Sequence, residues 1–282
     1  MHEMEAIPFA KMTGSGNDFV VIDNRAALIP SASASAFTRA VCRRGLSLGG
    51  DGVVLIERPE AGRDVDFSWR YLNADGSDGE MCGNGAMCAA RFALHSRITG
   101  RHMRFATRAG VVEAWVGDDP AEVAIKIEDS GPIGSAIEAH GLTLHPVRVG
   151  VPHGVAFVED ADAFATRPAF EATGRLVRHD PAFAPDGVNM NIASGRADGS
   201  WRMRTYERGV EAETLACGTG AVATALVAVL LGKTRFPVKV LTSSGRTLSV
   251  SAELEGSIGR SIRLQGHAAI IAEGTLRPDA WR

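Results

Sequence analysis

Over the first part of the chain, apolar residues fall in short runs separated by Gly, Asp, Asn and Pro. Phe9–Met12, Phe19–Asp23, Val53–Glu57 and Asp66–Asn73 are rich in β-branched and aromatic residues, and this pattern predicts strands. Ser35–Arg44 predicts a helix with Ser35 as its N-cap. Asn84–Arg97 predicts a second helix, because its Ala, Met, Arg and Leu favour helix and Phe92 follows Cys88 one turn later. Strands over Met103–Thr107, Val111–Val116 and Glu122–Ile127 follow.

Beyond a Pro- and Gly-bearing stretch near Gly131, the pattern starts again. Strands are expected over Leu142–Val149, Val155–Val158, Val188–Ala193 and Trp201–Tyr206, with a helix over Ala161–Thr173 broken by Pro168. A strong apolar helix over Gly218–Gly232 precedes strands at Val238–Leu241, Thr247–Leu254, Ser261–Gln265 and Ala268–Glu273. The fold class is α+β, mostly antiparallel, with one long helix in each half.

The halves share one segment. Asp78–Gly–Glu–Met–Cys82–Gly–Asn–Gly–Ala aligns with Glu213–Thr–Leu–Ala–Cys217–Gly–Thr–Gly–Ala, about half the chain further on. An acidic residue stands four positions before each cysteine, and an apolar helix follows each. Self-similarity at this period suggests a duplicated domain. The expected organisation is two similar pseudo-symmetric domains, 1–127 (completed by a C-terminal strand within 266–282) and 128–265. Each is a strand-rich sheet around a central helix, with the active site in the cleft between them.

Composition narrows the function without choosing it. With 45% hydrophobic and 22% charged residues and a net charge of −3, the chain has no basic footprint for nucleic acid and no polybasic stretch for a membrane. The N-terminal residues lack a signal-peptide core, and the longest apolar run, Ala221–Leu231, falls short of the ~20 residues that span a bilayer. A cytoplasmic enzyme acting on a small molecule is the expectation. The four cysteines lack zinc-site or secreted-scaffold spacing, and Cys42 and Cys88 read as buried thiols. The histidines show no metal-site spacing, and Asn73–Ala–Asp–Gly–Ser–Asp–Gly reads as a turn rather than a calcium loop.

Cys82 and Cys217 carry the chemistry. Each stands where a strand ends and a helix begins. There, unpaired backbone N–H groups and the helix dipole stabilise a thiolate and can hold a carboxylate. The neighbouring glycines let those amides approach a ligand. Two such elements facing each other suit inversion of an α-carbon, with one thiol removing a proton and the other delivering one.

Around these residues the chain resembles the diaminopimelate epimerase family. The resemblance runs through Phe9–Ala–Lys–Met–Thr–Gly–Ser–Gly–Asn17–Asp–Phe, Asn73–Ala–Asp–Gly–Ser, Cys82–Gly–Asn–Gly–Ala and Gly150–Val–Pro–His153. It continues in Gly187–Val–Asn189, Tyr206–Glu207–Arg208–Gly and Glu213–Thr–Leu–Ala–Cys217–Gly–Thr–Gly. It implies interconversion of LL- and meso-2,6-diaminopimelate for lysine and cell-wall synthesis, without metal or pyridoxal phosphate. It implies Cys82 and Cys217 as the paired acid and base, supported by His153 and Glu207. Gly83, Asn84, Gly218 and Thr219 match amides that bind the reacting carboxylate. Asn17, Asn73, Asn189 and Arg208 match side chains that hold the substrate, chiefly its distal end.

The match has departures. Val151 stands where many members have Asn, Gly52 where some have Gln, and Met87 where Arg is common. Val210–Glu–Ala–Glu is one residue longer than the shorter family version, and Ala272 lies near an interface Tyr of some members, which bears on the expected homodimer. A related racemase acting on histidine or proline would keep both thiols. A redox pair or structural disulfide in a binding protein would also use two cysteines, although no Cys–x–x–Cys motif is present.

Overall fold

The computed structural model describes residues 6–79 and 81–281. The chain divides into two compact units, one running to Ile125 and resuming at Gly266, the other spanning Lys126–Gln265.

Unit 1 contains β1 (Ile7–Gly14), β2 (Asn17–Asp23), α1 (Ser31–Val41), β3 (Gly52–Glu57), β4 (Phe67–Asn73), β5 (Asp78–Gly79), α2 (Gly83–His95), β6 (His102–Thr107), β7 (Gly110–Val116) and β8 (Glu122–Lys126). Unit 2 contains β9 (Ile137–Ala139), β10 (Leu142–Val149), β11 (Val151–Phe157), α3 (Arg167–Arg178), β12 (Asn189–Gly195), β13 (Trp201–Glu207), β14 (Ala212–Thr214), α4 (Gly218–Leu230), β15 (Val238–Leu241) and β16 (Thr247–Glu255). The last strand, β17 (Ile258–Leu276), begins in unit 2 and ends in unit 1.

In unit 1 the pairing runs β1–β2–β3–β4–β6–β7–β8–β17 and returns from β17 to β1, a closed barrel. β2–β3 and β4–β6 are parallel. Unit 2 follows the same order through β10, β11, β12, β13, β15, β16 and β17, with β11–β12 and β13–β15 parallel. Its circuit is completed by residues 130–134. Gly131 N donates to Arg148 O of β10 (2.8 Å), and Ile133 N to Ser257 O at the start of β17 (2.9 Å).

The β2–β3 and β11–β12 pairs are buried on both faces, as their continuous apolar runs require. On β2 and β3, Val20, Ile22, Val53 and Leu55 join Phe37 and Val41 of α1 in one cluster, while Val21 and Val54 are buried on the opposite face. In unit 2, Met190 and Ile192 of β12 pack with Phe170 and Val177 of α3. Helix α2 contacts β1, β2, β3 and β7, and α4 contacts β10, β11, β12, β13, β15 and β16. Residues Gly220–Ala228 of α4 are all buried, as befits a helix apolar all round.

Some expected elements move. The first helix starts at Ser31 behind Pro30, and Ser35 is no cap; its hydroxyl donates to Gly76 O (2.7 Å). Pro168 starts α3 rather than breaking a helix, since a proline in the first turn sacrifices no intrahelical bond. Two expected strands fuse into β17. Its partner changes from β16 at Gln265 to β1 at Ala268. No helix among the described residues is long and apolar enough to cross a membrane.

Candidate active site

In unit 1, Cys82 is the N-cap of α2. Its backbone is extended (φ −141°, ψ 114°), and its sulfur accepts from Gly85 N at 3.4 Å. The sulfur therefore takes the role usually played by a capping oxygen. Gly14, at the end of β1, lets the helix start lie close, because a Cβ there would stand 2.6 Å from Asn84 O and 3.0 Å from Cys88 Sγ. The turn through Ser15 and Gly16, both at positive φ, then presents Asn17.

Asn17 Nδ2 donates to Asp51 Oδ2 (2.9 Å), and its Oδ1 accepts from Asn84 Nδ2 (2.7 Å). Asp51 also accepts from Asp18 N (3.1 Å) and from Arg44 (2.9 Å). Asp51 was not singled out from the sequence. It lies beside Asn17 only because the chain preceding β3 runs next to β2. Asn84 is 4% exposed and its Oδ1 has no hydrogen-bond partner among the described residues. Asn73 closes its own turn, with its amide donating to Ser77 Oγ (3.0 Å).

Gly52 has a local explanation. A Cβ there would collide with the Leu72 carbonyl and lie 2.7 Å from Cε2 of Tyr71, so the tyrosine ring occupies the space a side chain at 52 would need. Tyr71 stacks on Trp69 (5.9 Å between centroids) and meets Phe19 edge-on. Burial, then the charge of Cys82, pushes its phenol well above the ordinary range. Cys88, fully enclosed, is likewise pushed up by burial, and Cys42 to about 11 by the same cause. Neither is a ready thiolate.

In unit 2 the construction repeats. Cys217 is the N-cap of α4 (φ −124°, ψ 109°), its sulfur accepts from Gly220 N at 3.4 Å, and Thr219 Oγ1 lies at 3.6 Å. Asn189 is 2% exposed, and its Oδ1 accepts from Arg208 N (2.7 Å). The Arg208 guanidinium donates to Asp186 O (3.2 Å). His153, opposite Asn189 in the β11–β12 register, is completely buried. Burial and then the nearby Arg208 charge bring its pKa down to about 3, so the ring is neutral. Burial raises the Glu207 carboxyl above the usual carboxylate range.

Asn191, also not singled out from the sequence, joins these parts. Its amide nitrogen lies 3.1 Å from His153 Nδ1, its oxygen accepts from Thr205 Oγ1 (2.9 Å), and a Cβ on Gly220 would stand 2.5 Å from that oxygen. Within unit 1, then, Asn17, Asn84 and Cys82 come together; within unit 2, His153, Asn189, Arg208, Cys217 and Thr219 gather around α4 and β11–β13.

The model of the diaminopimelate epimerase family matches residues 9–132 and 146–260. The chain belongs to the diaminopimelate epimerase family. It is 40% identical over 276 residues to the diaminopimelate epimerase of Hydrogenobaculum sp., covering 94% of this chain and 97% of that one. It is 41% identical to the Aquifex aeolicus diaminopimelate epimerase, covering 95% and 97%. As a member of the family it is an isomerase. Among solved structures, a probable proline racemase from Agrobacterium radiobacter superposes with a TM-score of 0.68 at 17% identity, over 98% of this chain and 95% of that one. A phenazine biosynthesis protein of the PhzF family from Bacillus anthracis gives 0.69 at 11% identity, over 96% and 99%. At such identities these two matches show a shared fold.

Proposed function

We propose that the chain inverts one α-carbon of 2,6-diaminopimelate, LL to meso, by two-base proton transfer between Cys82 and Cys217, in lysine and cell-wall precursor synthesis. One observation carries this reading. The same device, a thiol capping an apolar helix with an amide aimed at its sulfur at 3.4 Å, is built once in each unit. Inversion of a carbon needs one proton acceptor and one donor, and each device supplies one.

The amides following each thiol, at Gly83 and Asn84 and at Gly218 and Thr219, are the donors proposed for the reacting carboxylate, where charge develops as the proton leaves. Asn17, Asn73, Asn189 and Arg208 are proposed to hold the distal amino-acid end, Arg208 as the partner of its carboxylate. Neutral His153 and the raised carboxyl of Glu207 support the reacting centre. The two units are proposed to be duplicated copies of one domain, each organised around its helix, serving one substrate. No cofactor enters the scheme, the location is proposed to be the cytoplasm, and a homodimer is the proposed assembly.

Incubation with LL-diaminopimelate in heavy water tests the reading. The meso product should carry solvent deuterium at one α-carbon, and C82A and C217A should each lower turnover by about 10²-fold or more. Reduced protein that exchanges no α-proton, or a cysteine variant with full activity, would sink it.

A further inference from the structure

Asn191 has four neighbours that together fix its orientation. Its amide nitrogen faces Gly154 O and Asn189 O, each at 3.4 Å, as well as His153 Nδ1 at 3.1 Å. Backbone carbonyls only accept, so the face of Asn191 turned towards them is its NH₂ group. The other face, the carbonyl oxygen, accepts from Thr205 Oγ1. An NH₂ group only donates, so His153 Nδ1 must be the lone-pair nitrogen. In a neutral ring the proton then resides on Nε2. That atom is buried and has no hydrogen-bond partner among the described residues.

From this geometry we infer that Asn191 is a positioning residue that locks His153 as the Nε2–H tautomer, a fixed hydrogen-bond donor for an anionic substrate group and not a proton shuttle. The inference deepens the epimerase reading, on which its substrate clause rests. A buried N–H without a partner is costly to maintain, and it marks where an acceptor arrives. A substrate carboxylate supplies that acceptor. Asn191 meanwhile touches the Cys217 device through its carbonyl oxygen at Gly220. One amide thus sets both the imidazole proton and the packing of the turn that holds the thiol. A donor that cannot release its proton leaves proton transfer to the sulfur.

Nitrogen NMR of histidine-labelled protein near neutral pH tests the tautomer directly, with H153Q identifying the signal. The expected spectrum shows a neutral ring protonated at Nε2, and saturating diaminopimelate should move that N–H proton resonance. A neutral ring protonated at Nδ1, or an imidazolium, would overturn the inference, as would an N–H resonance indifferent to saturating substrate. In N191D the carboxylate accepts only, so the proton should move to Nδ1 or the ring should become charged, and kcat/KM should fall on the order of 10²-fold or more. An unchanged tautomer in a folded N191D would refute the role given to Asn191. The wild-type spectrum decides the tautomer even where that variant fails to fold. Because it is read without turnover, an Nε2–H ring in a protein without epimerase activity would refute the substrate reading alone.

Discussion

Each thiol depends on the glycine three positions on, and the two glycines are not equivalent. At Gly220 a Cβ would press on Asn191 Oδ1 at 2.5 Å and on Cys217 Sγ at 3.3 Å. At Gly85 it would meet the Trp69 ring at 3.4 Å and Cys82 Cβ at 3.5 Å, ordinary contacts. G220A should therefore displace the Cys217 sulfur and lower kcat/KM by about 10²-fold, as small misplacements of reacting groups do. G85A should keep most activity, and steady-state kinetics of the pair decides; equal losses would contradict the argument. Both cysteines and their glycines were legible, because a helix start announces itself locally. Asn191, Asp51 and Tyr71 were not. Their importance comes from neighbours brought alongside by strand register, which one sequence does not display.

The acidic residue four positions before each cysteine joins an arginine of a neighbouring strand, with unequal consequences. Glu213 makes a bidentate pair with Arg204 (2.9 and 2.8 Å), both side chains under 10% exposed, and Arg204 lies 4.2 Å over the Phe170 ring. Asp78 pairs with Arg70 and Arg108 in more open surroundings. Breaking the buried pair leaves an uncompensated guanidinium, so E213Q should cost about 3–5 kcal/mol. D78N should cost under about 1 kcal/mol. Although burial alone would raise it, hydrogen bonding and charge from Arg204 hold the Glu213 pKa below 4.5. The sign follows from that depression. The pair's contribution is complete above 4.5 and fades as pH falls through the lower folded value. The gap in Tm between wild type and E213Q should accordingly be widest near neutrality and narrow in acid. A gap independent of pH would contradict this.

Element types were largely legible, because period-two runs and apolar helices are local signals. The short strands β5, β9 and β14 were missed, being too short to show a period. The α3 start was misplaced, because the same proline either opens or breaks a helix depending on whether a turn precedes it.

At the scale of the molecule, the strand order of each unit depends on pairings between distant residues. β1 meets residues 268–276, and residues 130–134 bridge β10 and β17. Strand periodicity specifies neither partner, although a C-terminal strand within 266–282 is expected to complete the first domain. A chain ending at Gln265 lacks residues 268–276 of β17, leaving β1 without its partner on that side. Its β1 amides should lose protection from hydrogen exchange, whereas those of β11 and β12 should keep theirs. Retained protection in β1 would show that the circuit is not needed for the unit to hold together.

The same arrangement sets an order of birth. The stave that seals the first barrel emerges from the ribosome only after residues 126–265 have been made, a wait on the order of ten seconds at usual synthesis speeds. Throughout that interval the nascent chain carries two bare sheet margins able to capture a neighbour on the same message. A rearranged gene placing residues 266–281 ahead of β1 would remove the delay, and its product should emerge with fewer misjoined chains.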